Sequence, residues 1–444
     1  MISRRSALRS IDNSLSKYYS RHSSPPFGAA ELPASHRLPE ILRERRFLIF
    51  AGGQGVSAIG DGVYLVALAW TSLQLTHSAV YLGLLLTTTA LPRAILMLAG
   101  GVVVDRLGPR RVILGSDLSR AWLIGGVAVV VLLGHLSILL LFLIAAIFGV
   151  FDALFYPATM TLVPALVSPE RLSAANGVWQ LAVEGTMIIG PPLGGLVVGL
   201  AGPGPAFLVD GASFLVAFVA LLVVRVTTVP RSTSAPTESG WASLTAGVRT
   251  SLANPLLRAL MPLTAVLNLA AGGPLNVGIP LLARAHHWGP AGYGFIEGGL
   301  GAGILVGGAA MGAGLRLPRP GLSVLGMAAA LGVLTVLLGA VPALLLAMVL
   351  TLVMGALISA TNVAVVSLVQ QKTPADVLGR VMSVLMFSSM SLTPISYAVS
   401  GGVARGIGVP GLFTAGGVLV VVTAGAGFRA RAVREFGVAE PSPA

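Results

Sequence analysis

Six carboxylic acids stand where a carboxylate is hard to keep. Asp61, Asp117, Asp152, Glu184, Asp210 and Glu297 each fall inside a segment otherwise apolar enough to cross a bilayer. A charged side chain near the bilayer centre costs about 2.5–3.5 kcal/mol on insertion scales, so such a group faces a bundle interior, finds a cation, or carries a proton. Arg93 and Arg120 share these surroundings. The chemistry open to the set is ion pairing that can be made and broken, together with proton uptake and release. Asp117 and Arg120 are three residues apart and share one helical face. Arg93 requires a partner, because an isolated guanidinium in hydrocarbon is very unfavourable. Asp61, at similar depth on the neighbouring segment, is the first candidate, and Glu184 the second. Glu184 has no basic neighbour in the sequence, which makes it the preferred proton site, with Asp61 next. Asp210 and Glu297 fall nearer the ends of their segments, where they line a vestibule or reach water.

The segments that position these groups follow from composition. Hydrophobic residues make up 55% of the 444, charged residues 10%, and the mean hydropathy is +0.89. That balance excludes an ordinary soluble domain. About 20 apolar residues cross about 30 Å of hydrocarbon. Twelve spans are expected, at 47–72, 78–103, 111–134, 137–158, 174–200, 205–226, 256–282, 292–315, 321–340, 342–368, 380–404 and 410–428. Loop charge supports an even count. Of the 28 Lys and Arg, Arg284 and Arg405 alone fall in loops at one end, Arg93 and Arg120 fall inside spans, and the rest lie at the other end or in the tails. This asymmetry places both termini in the cytoplasm.

The fold class read from this is an all-α membrane protein of twelve transmembrane helices in two six-helix bundles. Residues 1–46 read as a disordered basic cytoplasmic tail, 47–226 as the N-terminal bundle and 227–255 as a cytoplasmic linker. The linker includes an amphipathic stretch with Leu244, Val248 and Leu252 on one face. Residues 256–428 read as the C-terminal bundle and 429–444 as a cytoplasmic tail. The early Arg- and Ser-rich residues also allow an organelle transit peptide; no apolar h-region follows them, which argues against a cleavable secretory signal. The net charge of +12 is divided among short loops and tails, so it is a topology signal rather than a nucleic-acid surface. There is no cysteine, no P-loop lysine motif and no zinc-ligand spacing among the six histidines, and no metal or cofactor is expected.

Between spans 2 and 3 lies Gly101-Val-Val-Val-Asp-Arg-Leu-Gly-Pro-Arg-Arg111. The pattern G-x-x-x-D-R-x-G-x-R, carried by Gly101, Asp105, Arg106, Gly108 and Arg110, resembles the signature loop of the major facilitator superfamily; Pro109 stands where that family often has a basic residue. Span 5 carries Gly185-Thr-Met-Ile-Ile-Gly-Pro-Pro-Leu-Gly-Gly195, which resembles the antiporter motif of proton-linked drug exporters in Gly185, Gly190, Pro191, Gly194 and Gly195. Physically, Pro191 removes a helical hydrogen bond and the glycines admit a close neighbour, for which span 8 offers Gly298, Gly299, Gly301, Gly303, Gly307 and Gly308. Plain small-residue packing accounts for the same residues without any coupling role. Gly52–Gly62, Ala90–Arg93, Asp117–Arg120 and Ala206–Phe214 resemble the macrolide-efflux and siderophore-exporter branch.

The resemblance implies proton-driven export of bulky amphipathic compounds by alternating access of two halves. In the family the loop acid caps span 11 and meets an arginine on span 4. Span 4 here has none, so Arg120 is expected to substitute, gathering Asp105, Arg106, Asp117, Arg120 and Asp152 into one cytoplasmic latch. A static salt bridge that only fixes topology is the alternative. The substrate path is expected to use Gln54 and Tyr64 on span 1, Trp70 above them, and Asn268 and Asn276 on span 7. Glu297 on span 8, Asn362 on span 10, and Met386 and Tyr397 on span 11 complete it. The implied partners are a small-molecule substrate, protons and the lipid bilayer, with no nucleic acid; the expected state is a monomer in the plasma (cell inner) membrane. Import of a small nutrient, lipid or lysolipid translocation, and a non-transporting receptor or scaffold remain alternatives.

Overall fold

A run of Leu, Val, Ala and Gly surrounded by lipid satisfies its backbone only by closing hydrogen bonds within itself, so each apolar segment becomes a helix. In this computed structural model the described residues are 41–225, 249, 255–315, 317–373, 378–379, 381–382, 384–385 and 391–429. No strand occurs among them. Most of 1–46, most of 227–255 and nearly all of 429–444 lie outside the described residues, as does Met386.

The first half consists of α1 (Arg45–Thr76), α2 (Ala79–Leu107), α3 (Pro109–Leu132), α4 (Ile138–Leu166), α5 (Leu172–Glu184), α6 (Thr186–Ala201) and α7 (Pro203–Val223). The second consists of α8 (Pro255–Gly273), α9 (Ile279–Ala285), α10 (Gly289–Gly312), α11 (Pro320–Gly339), α12 (Leu344–Lys372) and α13 (Thr393–Arg429). Among the described residues eleven helices are long and apolar enough to cross a membrane by length and composition. The twelfth crossing is contained in α13, where Gly408 at φ 78°, ψ 172° separates two helical segments. Gly202, at φ 84°, ψ 178°, does the same between α6 and α7. Each is followed by a proline that opens the next helix, Pro203 or Pro410. Only glycine adopts this conformation without strain.

Two spans differ from the continuous helices expected. The fifth crossing, Pro169–Ala201, is divided at Gly185 into α5 and α6. The seventh contains a π-helical turn, Pro274–Gly278, between α8 and α9. Pro274 and Pro280 each lack an N–H, so the carbonyls they would have engaged are freed and the helix widens.

Within the first half α1 packs on α6 and α7, α3 on α4 and α7, and α2 on α4; within the second, α10 packs on α12, and α13 on α8 and α11. The halves meet along two seams, α6 against α10 and α2 against α13. Glycine sets both. A Cβ on Gly294 would lie 2.2 Å from the Pro191 carbonyl oxygen, and one on Gly83 would lie 2.5 Å from that of Tyr397. The glycines of α10 divide between two neighbours. Gly294, Gly298 and Gly301 face α6, whereas Gly299, Gly303 and Gly307 face α12. Both seams lie toward the end of the bundle poor in arginine, where Arg284 also donates to the Leu73 carbonyl at the C-terminus of α1.

Candidate functional site

A cavity of about 320 Å³ lies where the two halves face each other. Leu65, Leu86, Thr89, Ala90, Arg93, Ala94 and Asp152 line it from the first half, and Asn276, Thr393 and Tyr397 from the second. Its polar handle is an ion pair: Arg93 Nη1 is 3.0 Å from Asp152 Oδ2. The two side chains are 42% and 26% exposed, so they face the cavity rather than the packed interior.

Local sequence explains the pair. Gly149 on α4 has no side chain, and a Cβ there would lie 2.2 Å from the Thr89 carbonyl oxygen of α2. The two helices therefore approach backbone to backbone. Asp152, three residues beyond Gly149 on the same face, then meets Arg93 just past Pro92. On the opposite wall the π turn presents Asn276, whose Nδ2 donates to the Gly272 carbonyl at 2.9 Å. Thr87 Oγ1 donates to the Pro394 carbonyl at 3.0 Å and ties α2 to the rim formed by α13.

A second polar cluster is enclosed in the first half. Asp117 and Arg120 form a 2.9 Å ion pair at 0% and 1% side-chain exposure. Gln54 Nε2 donates to Asp117 Oδ2 at 3.0 Å. The Arg120 guanidinium stands over the Phe214 and Phe155 rings, 4.3 and 4.6 Å from their centroids. Asp210 is fully buried and neither carboxylate oxygen has a partner. The Asp61 Oδ1 and Tyr64 Oη atoms are likewise buried and unpartnered, and Tyr64 stacks on Phe148 at 4.5 Å.

Several expectations are corrected. Arg93 pairs with Asp152, and neither Asp61 nor Glu184 takes that place. The expected five-residue latch is not one cluster. Asp117 and Arg120 are sealed inside the first half, Asp152 faces the cavity, and Asp105 and Arg106 are exposed at the end of α2. Glu184 is neither deeply buried nor unpartnered: it ends α5, half-exposed, and accepts from Gln180 Nε2 at 2.8 Å. Asp210 reaches no vestibule, and Glu297 is 5% exposed on α10.

The remaining site residues fall as follows. Gln54 and Tyr64 belong to the enclosed cluster rather than the cavity wall. Asn268 donates to the Thr264 carbonyl of its own helix, and Asn362 is exposed. Gly108, at φ 84°, forms the α2–α3 turn, and Gly101 has open space where a Cβ would stand. Arg110 donates to the Leu221 and Leu222 carbonyls at 3.3 and 3.0 Å, capping α7. Gly190 and Gly194 pack on α1 at Ile59 and Val63, Gly195 packs on α10 at Pro290, and a Cβ on Gly185 would meet the Leu181 carbonyl of its own span. Pro191 is buried in α6 with its carbonyl against Gly294. The cavity contribution of Thr89 and Thr393 had no sequence signal beyond Pro92 and Gly149, which mark the close approach of α2 and α4.

Two helical halves, closed on each other at one end and enclosing a largely apolar cavity with an ionic handle, define a membrane transporter of small molecules. The chain belongs to the Major Facilitator Superfamily, which it matches over residues 50–398. It is a multi-pass membrane protein and a transporter rather than an enzyme. It is 29% identical over 351 residues to the enterobactin exporter EntS of Escherichia coli (strain SMS-3-5 / SECEC) and, equally, to that of Escherichia fergusonii; the match covers 78% of this chain and 82% of theirs. In fold it resembles the nucleoside transporter NupG (TM-score 0.69, 14% identity, 86% of this chain and 98% of that one). It also resembles a bacterial homologue of the iron transporter ferroportin in its inward-facing state (TM-score 0.66, 18% identity, 87% and 98%).

Proposed function

We propose that this protein exports amphipathic small molecules across the bacterial inner membrane in exchange for protons, as a monomer with both termini in the cytoplasm. The observation that carries this reading is the cavity between the halves, apolar over most of its wall and holding the Arg93–Asp152 pair as its ionic handle. A substrate that offers its own acceptor to Arg93, or its own donor to Asp152, competes with the pair and loosens α2 from α4. The 29% identity to enterobactin exporters supports outward transport of siderophore-like compounds. The loop-charge asymmetry supports an orientation with the closed, arginine-poor end outside. One pH unit supplies about 1.4 kcal/mol per proton, and 100 mV about 2.3 kcal/mol per charge. Those terms are large enough to move a two-state equilibrium between inward and outward packing.

The test is transport into inside-out proteoliposomes of full-length protein, with radiolabelled erythromycin and a catecholate siderophore as probes. Acid-inside gradients should drive accumulation that a protonophore abolishes. Accumulation of neither probe, or accumulation indifferent to the protonophore, sinks the reading.

A further inference from the structure

We propose that Asp210, with Asp61 beside it, is the proton-binding site of this transporter, enclosed in the first six spans and separate from the substrate cavity. The inference rests on the proton-coupled reading above and names where the proton resides.

Asp210 is 0% exposed, and both of its oxygens lack partners. It is pressed against α1: a Cβ on Gly60 would lie 2.7 Å from Asp210 Oδ1 and 2.0 Å from Ser213 Oγ. Glycine at position 60 is what lets α7 approach so closely, and Asp61 is the next residue. The Ser213 hydroxyl stands close beside the carboxylate, but the hydrogen bond it donates goes to the Asp210 main-chain carbonyl, at 2.7 Å.

The groups around the site come from every helix packed on it. From α1 come Asp61, with Oδ1 unpartnered, and Tyr64, with Oη unpartnered. From α3 come Asp117 and Arg120, already paired with each other and with Gln54. α6 brings no titratable residue. Among the described residues Arg120 is the guanidinium that acts on Asp210, and its ion pair is made with Asp117. An ionised Asp210 therefore sits fully buried with only the already engaged Ser213 hydroxyl close to it, an unfavourable state for a carboxylate. A proton bound to either Asp210 oxygen removes that charge. The resulting O–H is also a donor for an acceptor that now has none, Asp61 Oδ1 or Tyr64 Oη.

The same geometry links the site to the cavity. Asp61 lies within electrostatic reach of Arg93 and Asp152, and Leu65, one helical turn along α1, lines the cavity. Protonation at Asp61, to which Asp210 is electrostatically tied, withdraws negative charge that competes with Asp152 for Arg93. The pair at the cavity then tightens, and substrate is released. Loss of the proton reverses the bias.

The experiment is an infrared titration of full-length protein in lipid, with and without sodium, run beside the proteoliposome assay with radiolabelled erythromycin. The wild type should show a protonated-carboxyl C=O band that grows on acidification and ignores sodium. Measured in a Glu297→Gln background, which removes the buried carboxyl of α10, Asp210→Asn should remain monodisperse and lose that band; in the otherwise wild-type chain it should lose the roughly tenfold accumulation that one pH unit drives per proton. Asp152→Asn should keep the band. If Asp210→Asn aggregates, Asp61→Asn decides, because removing the neighbouring carboxyl must displace the titration midpoint of the Asp210 band. A band undiminished by Asp210→Asn in a Glu297→Gln background, an unmoved midpoint in Asp61→Asn, or a band set by sodium rather than pH overturns the inference. Failure of the wild type to accumulate erythromycin, with the band behaving as expected, fails the export reading alone.

Discussion

The two halves hold their interiors together by opposite means. The first buries charge: Gln54, Asp117, Arg120 and Asp210 are all less than 4% exposed, in a nest of Phe148, Phe155 and Phe214. The second buries backbone. Glu297 is its one buried acid among the described residues, and its helices meet at Gly303 against Leu352, Gly307 against Ala356, Gly355 against Leu300, and Gly332 against Gly417. The difference teaches a division of labour. A glycine seam holds by dispersion and close carbonyl contacts, and it does not respond to pH or to an ion. A cluster of three acids around one arginine changes its own stability each time a proton enters or leaves. On the proposed mechanism the first half would sense charge and the second would move as a packed body.

The largest expected effect comes from breaking the charged interior. Arg120→Met leaves Asp117 buried with only Gln54 as donor, and it should destabilise the protein by about 3–5 kcal/mol, read as a lowered melting temperature in detergent. Adding Asp117→Leu should restore most of that loss, since removing both members of a buried pair is often close to neutral. If the double variant melts no higher than the single one, the pair is not the unit that matters.

A glycine seam should break less severely. A Cβ on Gly303 would lie 1.9 Å from the Leu352 carbonyl oxygen, so Gly303→Ala must push α10 from α12. Overpacking of this kind costs about 1–3 kcal/mol. Gly126→Ala on α3, where a Cβ meets nothing within 4 Å, is the matched control and should lie near zero or slightly above it. Equal losses from both would refute the view that α10 and α12 are held by backbone approach.

The cavity pair separates stability from transport. Arg93 is 42% exposed, and exposed ion pairs contribute about 0–1 kcal/mol, so Arg93→Gln should hardly change melting. Erythromycin transport should nevertheless fall by an order of magnitude or more, since one lost charge-assisted hydrogen bond is worth about 1.5–3 kcal/mol. Unimpaired transport in proteoliposomes would remove Arg93 from the substrate path.

What could be read from the sequence, and what could not, follows the same physics. Span count and the α2–α3 turn were legible because hydrophobic length and Gly108-Pro109 are local signals. Counting residues from a span end gives Arg93 and Asp61 similar depth. Facing was not legible. Which side of a helix looks at which neighbour depends on backbone approach, and that is set by a glycine on another helix. Gly149 draws Asp152 to Arg93, and Gly60 admits Asp210 to α1. Both errors, the Arg93 partner and the exposed Asp210, come from reading depth without azimuth.

The smallest expected effect tests the closed end. Arg284, from the second half, donates to the Leu73 carbonyl in the last turn of α1, and a cation at a helix C-terminus contributes about 0.3–1 kcal/mol. Arg110 caps α7 in the same manner, but wholly within the first half. If capping across the halves holds the arginine-poor end shut, Arg284→Ala should shift the closed population by roughly two- to fivefold, whereas Arg110→Ala should shift only melting. The chain has no cysteine, so Val80→Cys, at the α2–α13 seam, gives a single reporter whose labelling by a membrane-impermeant maleimide measures opening. A faster rate with Arg284→Ala alone makes that contact a latch. The same acceleration from Arg110→Ala would mean that both arginines only stabilise helices, and that the glycine seams by themselves keep the end closed.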